Sequence, residues 1–364
     1  MKKVIFIIVG LILVATSGAM LLSQFRQSID SALSQVPTSS SPPLSPTPTF
    51  TEAKNNEKSI FVPYWGMTKS DKGISSYDEL IYFGVTTTES GLAKNEDGYK
   101  NLPSFVRFAE DKKKHLTIRM IDSETNFAVL KDEVSQKRII QESISLAREY
   151  GFDGIVLNLE VSALPFDSLI GQINTFNGRF YDQTKANNLE YALTAYGDTF
   201  FRVRPFAISE LEKKSDRIFL MAYDFHKAKG NPGPNFPLKG NETYGYDFET
   251  MIDNFLEYLP PEKITVIFGM YGYDWLVDDE NISQELASSL SFLEAKQKIV
   301  DNCSYASCQW QRDMESGEIK AEYRDSEEKK HIVWFEDPES VERKTAFLSQ
   351  RGIGSISYWA YSYF

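Results

Sequence analysis

The sequence is poor in the residues that build metal centres and poor in net positive charge. It contains 2 cysteines and 3 histidines among 364 residues, which is too few for a clustered zinc or iron–sulfur site, so we expect no metal and no cofactor. Lysine and arginine number 39 against 51 aspartates and glutamates, a formal net charge of −12. Nucleic acids demand basic surface, so this balance argues against a nucleic-acid partner. The two cysteines, Cys303 and Cys308, either close a local disulfide outside the cytoplasm or remain unpaired thiols.

The first 58 residues have two unusual compositions in succession. Lys2 and Lys3 precede an almost unbroken apolar run, Val4–Leu22, whose length is close to the roughly 20 residues that cross a bilayer as a helix. The lysines favour a cytoplasmic N-terminus, so residues 1–25 are predicted to be a signal anchor at the cell membrane, with the remainder extracytoplasmic, or secreted if the segment is cleaved. Residues 26–58 are rich in proline, serine and threonine and are predicted to be a disordered linker.

Residues 59–364 alternate short apolar runs with amphipathic stretches. This pattern is typical of a parallel sheet wrapped by helices, and eight strands in this order favour a closed (β/α)8 TIM barrel over an open sheet. A long polar stretch at about 275–330 interrupts the alternation and is predicted to be an insertion between strands seven and eight. The predicted strands are Ile60–Trp65, Glu79–Val85, Leu116–Ile121, Gly154–Glu160, Glu190–Ala195, Arg217–Tyr223, Ile264–Met270 and Ser355–Trp359. The predicted helices are Leu102–Lys113, Asp132–Tyr150, Phe166–Asn187, Phe248–Leu259 and Ser340–Arg351.

The predicted fourth strand carries a carboxylate at its carboxyl end, where it reads DGIVLNLE over residues 153–160. Side chains alternate between the two faces of a strand, so Asn158 and Glu160 lie on the same face. A glutamate is rarely buried without a partner or a function. Active sites of (β/α)8 barrels lie at the carboxyl ends of the strands, so Glu160 is the first candidate for a catalytic residue.

Aromatic side chains recur at the other predicted strand ends. Trp65, Tyr223, Tyr271 and Trp359 follow or end strands one, six, seven and eight. One such aromatic is more often a core residue than a ligand contact, but the coincidence at several strand ends favours a carbohydrate site. The flat apolar faces of sugar rings stack on aromatic rings, while nearby polar groups bind the hydroxyls.

Three motifs resemble those of glycoside hydrolase family 18, the chitinase-like barrels, including bacterial cell-wall and spore-associated members. The family's fourth strand follows Asp-Gly-x-Asp-x-Asp-x-Glu, against DGIVLNLE at 153–160, and its sixth carries Met-x-Tyr-Asp, present here as MAYD at 221–224. Its last strand typically reads Gly-x-Gly-Gly-x-x-x-Trp, against GIGSISYW at 352–359. The resemblance covers nearly all of residues 59–364 and implies a (β/α)8 barrel with a small α+β subdomain between strands seven and eight.

The resemblance also implies a chemistry for the fourth strand. Glu160 would be the general acid that protonates the glycosidic oxygen, and the substrate's own 2-acetamido carbonyl would be the nucleophile. Asn158 and Val156 stand where the family has aspartates. Loss of one such electrostatic partner commonly costs about 10²–10³ in rate, although the amide of Asn158 can still orient the acetamide through a hydrogen bond.

The other site residues are carried over from the family by position. The resemblance implies that Tyr223 hydrogen-bonds the acetamide carbonyl, that Asp224 supports Glu160, and that Trp359 forms the floor under the sugar at the cleavage point. Further substrate contacts are expected from Trp65, Met221 and Tyr271.

Three functions therefore stay open. The first is a membrane-tethered retaining hydrolase of β-linked N-acetylglucosamine polymers, either peptidoglycan or chitin-like. The second is a catalytically impaired, lectin-like barrel that binds such a polysaccharide or oligosaccharide at the cell surface, because Val156 and Asn158 replace carboxylates. The third is a structural or adaptor domain of a cell-surface complex.

Overall fold

The computed structural model describes residues 57–67 and 73–364. The predicted anchor at 1–25 and nearly all of the predicted linker at 26–58 lie outside the described residues, so both stay predictions. Among the helices of the described ranges, none combines the length and the apolar character needed to cross a bilayer.

Eight parallel strands close into a barrel, which confirms the predicted (β/α)8 architecture. The first strand pairs with both the second and the last, and this double pairing closes the ring. The carboxyl ends of all eight strands therefore surround one mouth. In chain order the barrel strands are β1 Lys58–Pro63, β2 Glu79–Thr88, β3 Lys113–Met120, β4 Gly154–Leu159, β5 Glu190–Tyr196, β6 Arg217–Ala222, β7 Ile264–Gly269 and β8 Ser355–Trp359.

Helices cover the outside of the barrel, and their apolar faces form the main core against the outer face of the strands. Four of them, which begin at Ser123, Glu133, Phe248 and Pro338, follow an aspartate whose side chain caps the first turn. The Asp132 side chain, for example, accepts hydrogen bonds from the backbone N–H groups of Val134 and Ser135. The α-helices are Asp97–Lys100, Leu102–Ala109, Ser123–Lys131, Glu133–Glu149, Asp167–Ala186, Ile208–Lys213, Asn241–Tyr244, Phe248–Leu256, Phe292–Ala295 and Pro338–Gln350. Short 3₁₀ turns occupy Ile74–Ser76 and Pro261–Lys263, and a π-helical turn occupies Lys296–Asp301.

Several predicted boundaries differ from the structure by a few residues, and two of the differences place a lysine in the wrong element. Lys58 was assigned to the linker but is the first residue of β1, where it pairs with Ile356 of β8. Lys113 was assigned to a helix but begins β3 and pairs with Glu79 of β2, so the helix ends earlier, at Ala109. In both cases a lysine at the strand's amino end gave no apolar signal, although its backbone completes the sheet.

The barrel interior is apolar in its middle layer. Val156 points into this layer and is fully buried. Buried side chains from seven other positions on the surrounding strands pack with it, and they exclude water from the centre of the barrel. These are Phe61, Ile81, Phe83, Ala192, Phe219, Met221 and Ile267.

A closed ionic cluster lies at the amino ends of the strands, below the apolar layer. Arg217 Nη2 contacts both carboxylate oxygens of Glu79, at 2.7 and 2.8 Å, and His115 Nδ1 contacts the same carboxylate. His115 Nε2 lies 3.2 Å from Glu190. Gly154 makes room for this arrangement, because a Cβ atom there would lie 2.5 Å from the His115 ring. The glycine of the strand-four motif thus serves packing.

The insertion between β7 and β8 is a separate five-stranded antiparallel sheet. It begins at Tyr271 and ends at Phe335, so it is longer at both ends than the predicted 275–330. The two apolar runs that border the polar stretch are central strands of this sheet and pair with each other. Cys303 and Cys308, left open by the sequence, form a disulfide with their Cα atoms 6.3 Å apart. The strands are Tyr271–Val277, Ser288–Ser291, Ala306–Arg312, Ile319–Arg324 and Lys330–Phe335.

Candidate active site

The end of β4 places Asn158 and Glu160 at the barrel mouth. Asn158 is buried, 2% exposed, and Glu160 follows the last residue of the strand in a partly exposed position. The buried Asn126 side chain fixes this strand end, because its Nδ2 donates to the carbonyl oxygens of Met120 and Glu160, each at 2.8 Å. The carboxylate of Glu160 is therefore held at the mouth by its own backbone.

A hydrogen-bonded chain runs from β5 to Glu160. The Thr194 hydroxyl donates to Asn158 Oδ1 at 2.7 Å, and Asn158 Nδ2 donates to Glu160 Oε1 at 3.0 Å. Because the hydroxyl contacts the amide oxygen, the amide nitrogen is left facing Glu160. Asn158 thus orients the carboxylate as a neutral donor, whereas an aspartate in this position would repel it.

The end of β6 places a second carboxylate at the mouth. Asp224 has a left-handed backbone with φ of 58°, a conformation that aspartate tolerates better than most residues. Its N–H donates to Asn235 Oδ1 at 2.7 Å, and its Oδ1 accepts hydrogen bonds from the hydroxyls of Tyr271 and Tyr273, the latter at 2.7 Å. Tyr271 and Tyr273 belong to the first strand of the insertion, so the insertion and the barrel build this part of the site together.

A buried triad connects the insertion to the barrel behind Asp224. Lys344 Nζ lies between the carboxylates of Glu318 and Glu336, 3.1 Å from Glu318, and all three side chains are fully buried. Glu318 also accepts the backbone N–H groups of Asn235 and Phe236, at 2.6 and 2.8 Å. Asn235, which holds Asp224, is therefore itself held by a charge from the insertion.

The tyrosines of the mouth are neutral hydrogen-bond donors. Burial, followed by the negative charges of Glu160 and Asp224, raises the pKa of the Tyr223 hydroxyl well above its usual value. Burial and Asp224 do the same to the pKa of Tyr271, and burial and Glu160 to that of Tyr196. None of these phenols loses its proton near neutral pH, so each offers an O–H group to a ligand or to a carboxylate.

Aromatic rings form the floor of the cavity. The Trp359 ring lies with its centroid 4.6 Å from that of Phe83 and 6.4 Å from that of Trp65. The Tyr223 ring is also close to Trp359, with centroids 6.5 Å apart. Trp65 is 44% exposed, so the floor extends to the protein surface and presents an apolar ledge on which a flat ring can lie.

All eight residues singled out in the sequence line one cavity of about 510 Å³ at the barrel mouth. The structure thus brings together the four expected catalytic residues and the four expected substrate contacts, while their roles stay predictions. Those residues are Asn158, Glu160, Tyr223 and Asp224, and Trp65, Met221, Tyr271 and Trp359.

The sequence reading missed several residues that line the same cavity. Arg119 on β3 and Tyr196 at the end of β5 would have been found by reading the carboxyl ends of these two strands as closely as the others. Asp198 and Arg204 follow β5 in a loop and pair with each other, with Arg204 Nη2 2.8 Å from Asp198 Oδ2. Within the described ranges no group of three or more histidine, cysteine, aspartate or glutamate side chains is arranged to hold a metal ion.

Comparison with protein families identifies the barrel. The model described as glycosyl hydrolases family 18 matches residues 53–363. The chain belongs to this family. The resemblance drawn from the motifs of strands four, six and eight is thereby confirmed, and Asn158 and Val156 stand as departures within a true family 18 member.

Two of the named relatives come from Bacillus subtilis. The chain is 25% identical over 247 residues to the putative sporulation-specific glycosylase YdhD of Bacillus subtilis, covering 67% of this chain and 55% of that protein. It is 25% identical over 236 residues to the cortical fragment-lytic enzyme of the same species, covering 64% of this chain and 51% of that enzyme. The family 18 chain thus spans about half the length of these two relatives.

Solved structures share the fold. The spore cortex-lytic enzyme SleL of Bacillus cereus superposes with a TM-score of 0.68 at 19% identity, covering 86% of this chain and 72% of that one. A class V chitinase from Nicotiana tobaccum, solved in complex with NAG4, superposes with a TM-score of 0.73 at 16% identity, covering 85% of this chain and 95% of that one. At these identities the likeness supports the barrel alone.

Proposed function

We propose that this family 18 barrel is a retaining glycosidase of β-linked N-acetylglucosamine polymers, with Glu160 as its general acid. One observation carries the proposal: Glu160 stands at the barrel mouth in a hydrogen-bonded chain with Asn158 and Thr194, over an aromatic floor and among neutral tyrosine donors. This arrangement supplies an acid, an acetamide-orienting amide and a sugar-stacking surface in one cavity.

The reaction that this geometry supports uses the substrate's own acetamide. Glu160 gives its proton to the glycosidic oxygen while the bond from that oxygen to C1 breaks, and the acetamide carbonyl oxygen bonds to C1 to form an oxazolinium ion. Tyr223 and Asn158 are the donors that orient the acetamide. Water then attacks C1, the ionised Glu160 takes its proton, and the acetamide is released with the β configuration retained.

The substrate class rests on the family and on the relatives. Relatives are named as a glycosylase and as a cortical fragment-lytic enzyme, and the class V chitinase structure holds the oligomer NAG4. We extend from these a substrate containing N-acetylglucosamine, either peptidoglycan or chitin-like. Among the predicted segments, the apolar run Val4–Leu22 after Lys2 and Lys3 supports a membrane anchor that would present the barrel to such a polymer outside the cell.

The experiment is a reducing-end assay on the purified full chain with N-acetylglucosamine oligomers and with peptidoglycan. We expect new reducing ends whose initial anomer is β, and a loss of about 10²–10⁴ in rate in Glu160→Gln, the usual contribution of a general acid. Glu210→Gln is the matched control, because Glu210 pairs with Lys213 on an exposed helix face. Equal activity of Glu160→Gln and Glu210→Gln would remove Glu160 from the chemistry.

A second candidate function is favoured by the two departures from the family motif. Val156 packs in the apolar layer and Asn158 carries no charge, so the mouth lacks two carboxylates that the family uses. A lectin-like barrel would bind the same oligomers without releasing products, and Glu160→Gln would leave that binding unchanged. If the protein binds neither N-acetylglucosamine oligomers nor peptidoglycan, the hypothesis of a structural or adaptor domain is favoured instead.

A further inference from the structure

Two cations that line the candidate active site, Arg119 and Lys227, have no carboxylate in ion-pair contact among the described residues, and Arg119 is the less exposed of the two. Arg119 is the next-to-last residue of β3, and its side chain lines the cavity. In the sheet it pairs with Thr86 of β2 on one side and with Asn158 of β4 on the other. The guanidinium therefore lies on the barrel wall directly beside the hydrogen-bonded chain that ends at Glu160.

The surroundings of Arg119 leave much of its hydrogen-bonding capacity unused. The guanidinium carbon lies over the rings of Phe83 and Trp65, 4.6 and 5.7 Å from their centroids. Nη1 makes one long hydrogen bond, 3.5 Å, to the Thr86 hydroxyl, and the buried Nε makes none within the described ranges. A guanidinium offers five N–H donors in a planar fork, so most of this fork is held by stacking and not by protein acceptors.

Arg204, on the same cavity, provides the contrast. It forms a two-pronged ion pair with Asp198, which also contacts Arg202 at 2.6 Å. Arg204 therefore has a protein carboxylate as its partner, although it shares that carboxylate with Arg202. The charges of Glu96 and Glu160 act on Arg119, but within the described ranges neither carboxylate is in ion-pair contact with its guanidinium.

Asn158 explains how Arg119 stays unpaired. An aspartate at position 158 would be the neighbour of Arg119 in the sheet and would neutralise it. The amide instead uses its oxygen for Thr194 and its nitrogen for Glu160. The residue that departs from the family motif is thus the one that leaves the adjacent cation available.

We infer that Arg119 binds a carboxylate on the substrate, so that the cavity selects an anionic N-acetylated glycan over a neutral one. A planar fork suits bidentate contact with a carboxylate, and stacking on Phe83 and Trp65 holds the fork in place. In a cell-wall glycan the carboxylate has two possible sources: a lactyl ether on the sugar, or a peptide attached to that lactyl group. The inference rests on the proposed function and names its substrate class.

The test compares three oligomers of equal length on the full chain. One is neutral poly-N-acetylglucosamine, one alternates with N-acetylmuramic acid bearing a free lactyl carboxylate, and one carries stem peptides on the lactyl group. In Arg119→Gln we expect kcat/KM to fall roughly 10- to 100-fold on the anionic oligomers, the usual value of a hydrogen bond to a charged group. On the neutral oligomer, kcat/KM of Arg119→Gln should change by less than about twofold. Arg119→Lys keeps the charge but loses the planar fork, so its kcat/KM on the anionic oligomers should lie between those of wild type and Arg119→Gln. Loss on the lactyl oligomer alone assigns the lactyl carboxylate, and loss only with peptide present assigns the peptide.

Calorimetric binding of the same oligomers to the Glu160→Gln protein tests the role of Arg119 without turnover. Adding Arg119→Gln to that background should weaken anionic oligomers alone, whereas Arg107→Gln, an exposed arginine on helix Leu102–Ala109, should change nothing. Equal loss on all three oligomers, or no loss on any, overturns the role of Arg119 while leaving the proposed hydrolysis intact if the neutral oligomer is still cleaved. If wild type cleaves none of the three, the proposed hydrolysis fails, and the binding series alone decides about Arg119.

Discussion

The polar clusters at the two ends of the barrel differ in how their charged side chains are paired. At the amino ends of the strands, Glu79 is only 1% exposed, and its carboxylate contacts both Arg217 and His115. At the carboxyl ends, Glu160 is partly exposed and accepts a hydrogen bond from the neutral amide of Asn158. In the lower cluster, at the amino ends, the charged side chains pair with one another. In the upper cluster, at the carboxyl ends, charged groups and hydrogen-bond donors face a cavity.

This difference separates structure from chemistry in one fold. In the lower cluster burial opposes ionisation, yet His115 and Arg217 together hold the pKa of Glu79 well below its usual range. The hydrogen bond from His115 likewise lowers the pKa of Glu190 to about 2. Carboxylates held in this way cannot exchange protons near neutral pH, so the lower cluster is suited to holding strands together and unsuited to acid catalysis.

The largest expected effect comes from breaking the closed cluster with Glu79→Gln. The substitution keeps the shape of the side chain but leaves the Arg217 guanidinium without its buried counter-charge. Removal of one partner from a buried ion pair typically costs about 3–5 kcal/mol, and we expect a loss of this order in the free energy of unfolding, measured by urea denaturation at pH 7. The hydrolytic rate per folded molecule should stay unchanged.

Glu210→Gln is the matched control for Glu79→Gln. Its partner Lys213 is 2.8 Å away, but both side chains are more than half exposed, so we expect less than about 1 kcal/mol. A Glu79→Gln protein that is as stable as wild type but inactive would contradict the separation of the two ends.

The closed cluster also shows what sequence patterns can and cannot predict. The eight barrel strands were predictable, because short apolar runs bounded by turns indicate buried strands regardless of which helices pack against them. Glu79, His115 and Arg217 gave no such signal, since they lie 36 and 102 residues apart along the chain and only closure of the barrel brings them together. Polar contacts across a barrel depend on register, which a single sequence does not encode locally.

The candidate site divides along the same line. Glu160, Tyr223 and Trp359 were found because each ends a predicted strand and matches a family motif. Thr194 and Arg119 were missed because they lie inside strands whose ends held no motif, and their importance depends on their pairing beside Asn158. Tyr273 was missed because it belongs to the insertion, which was predicted to begin only at about residue 275.

A third cluster, formed by Glu318, Glu336 and Lys344, extends the comparison. Its members pair with one another, as in the lower cluster, but it contains two carboxylates and only one cation. Burial, with the opposing charge of Lys344 and the repulsion of Glu318, leaves the pKa of Glu336 raised to about 7. The folded protein then holds a proton that the unfolded chain releases near pH 4.5. Stability should therefore fall by a few kcal/mol as pH rises from about 4.5 to about 7, since each unit of pKa difference is worth about 1.4 kcal/mol.

Glu336→Gln should remove that slope and make the protein at least as stable as wild type at pH 8. The uncharged amide can still accept the Ser340 hydroxyl that now contacts Glu336, and Lys344 keeps Glu318. Glu339→Gln changes an exposed residue that pairs with Arg343 and Arg312 on the helix that carries Lys344, and this variant should retain the wild-type slope. Parallel pH profiles for wild type and Glu336→Gln would show that Glu336 is ionised throughout.

The smallest effect is expected from Thr194→Val in the open cluster. The hydroxyl of Thr194 fixes which end of the Asn158 amide faces Glu160. Without it the amide can turn and present its oxygen to the carboxylate, which would weaken the orientation of Glu160. A lost neutral hydrogen bond is worth about 1 kcal/mol, so we expect kcat to fall about fivefold with KM little changed, measured on N-acetylglucosamine oligomers.

Thr265→Val separates this orienting role from simple packing. Thr265 is also a fully buried threonine, but its hydroxyl makes no hydrogen bond within the described part of the chain, so the substitution should leave kcat unchanged and stability equal or higher. If both valine variants lose activity equally, the hydroxyl of Thr194 acts only through packing. If Thr194→Val alone loses activity while both remain stable, the open cluster works through the orientation of one amide.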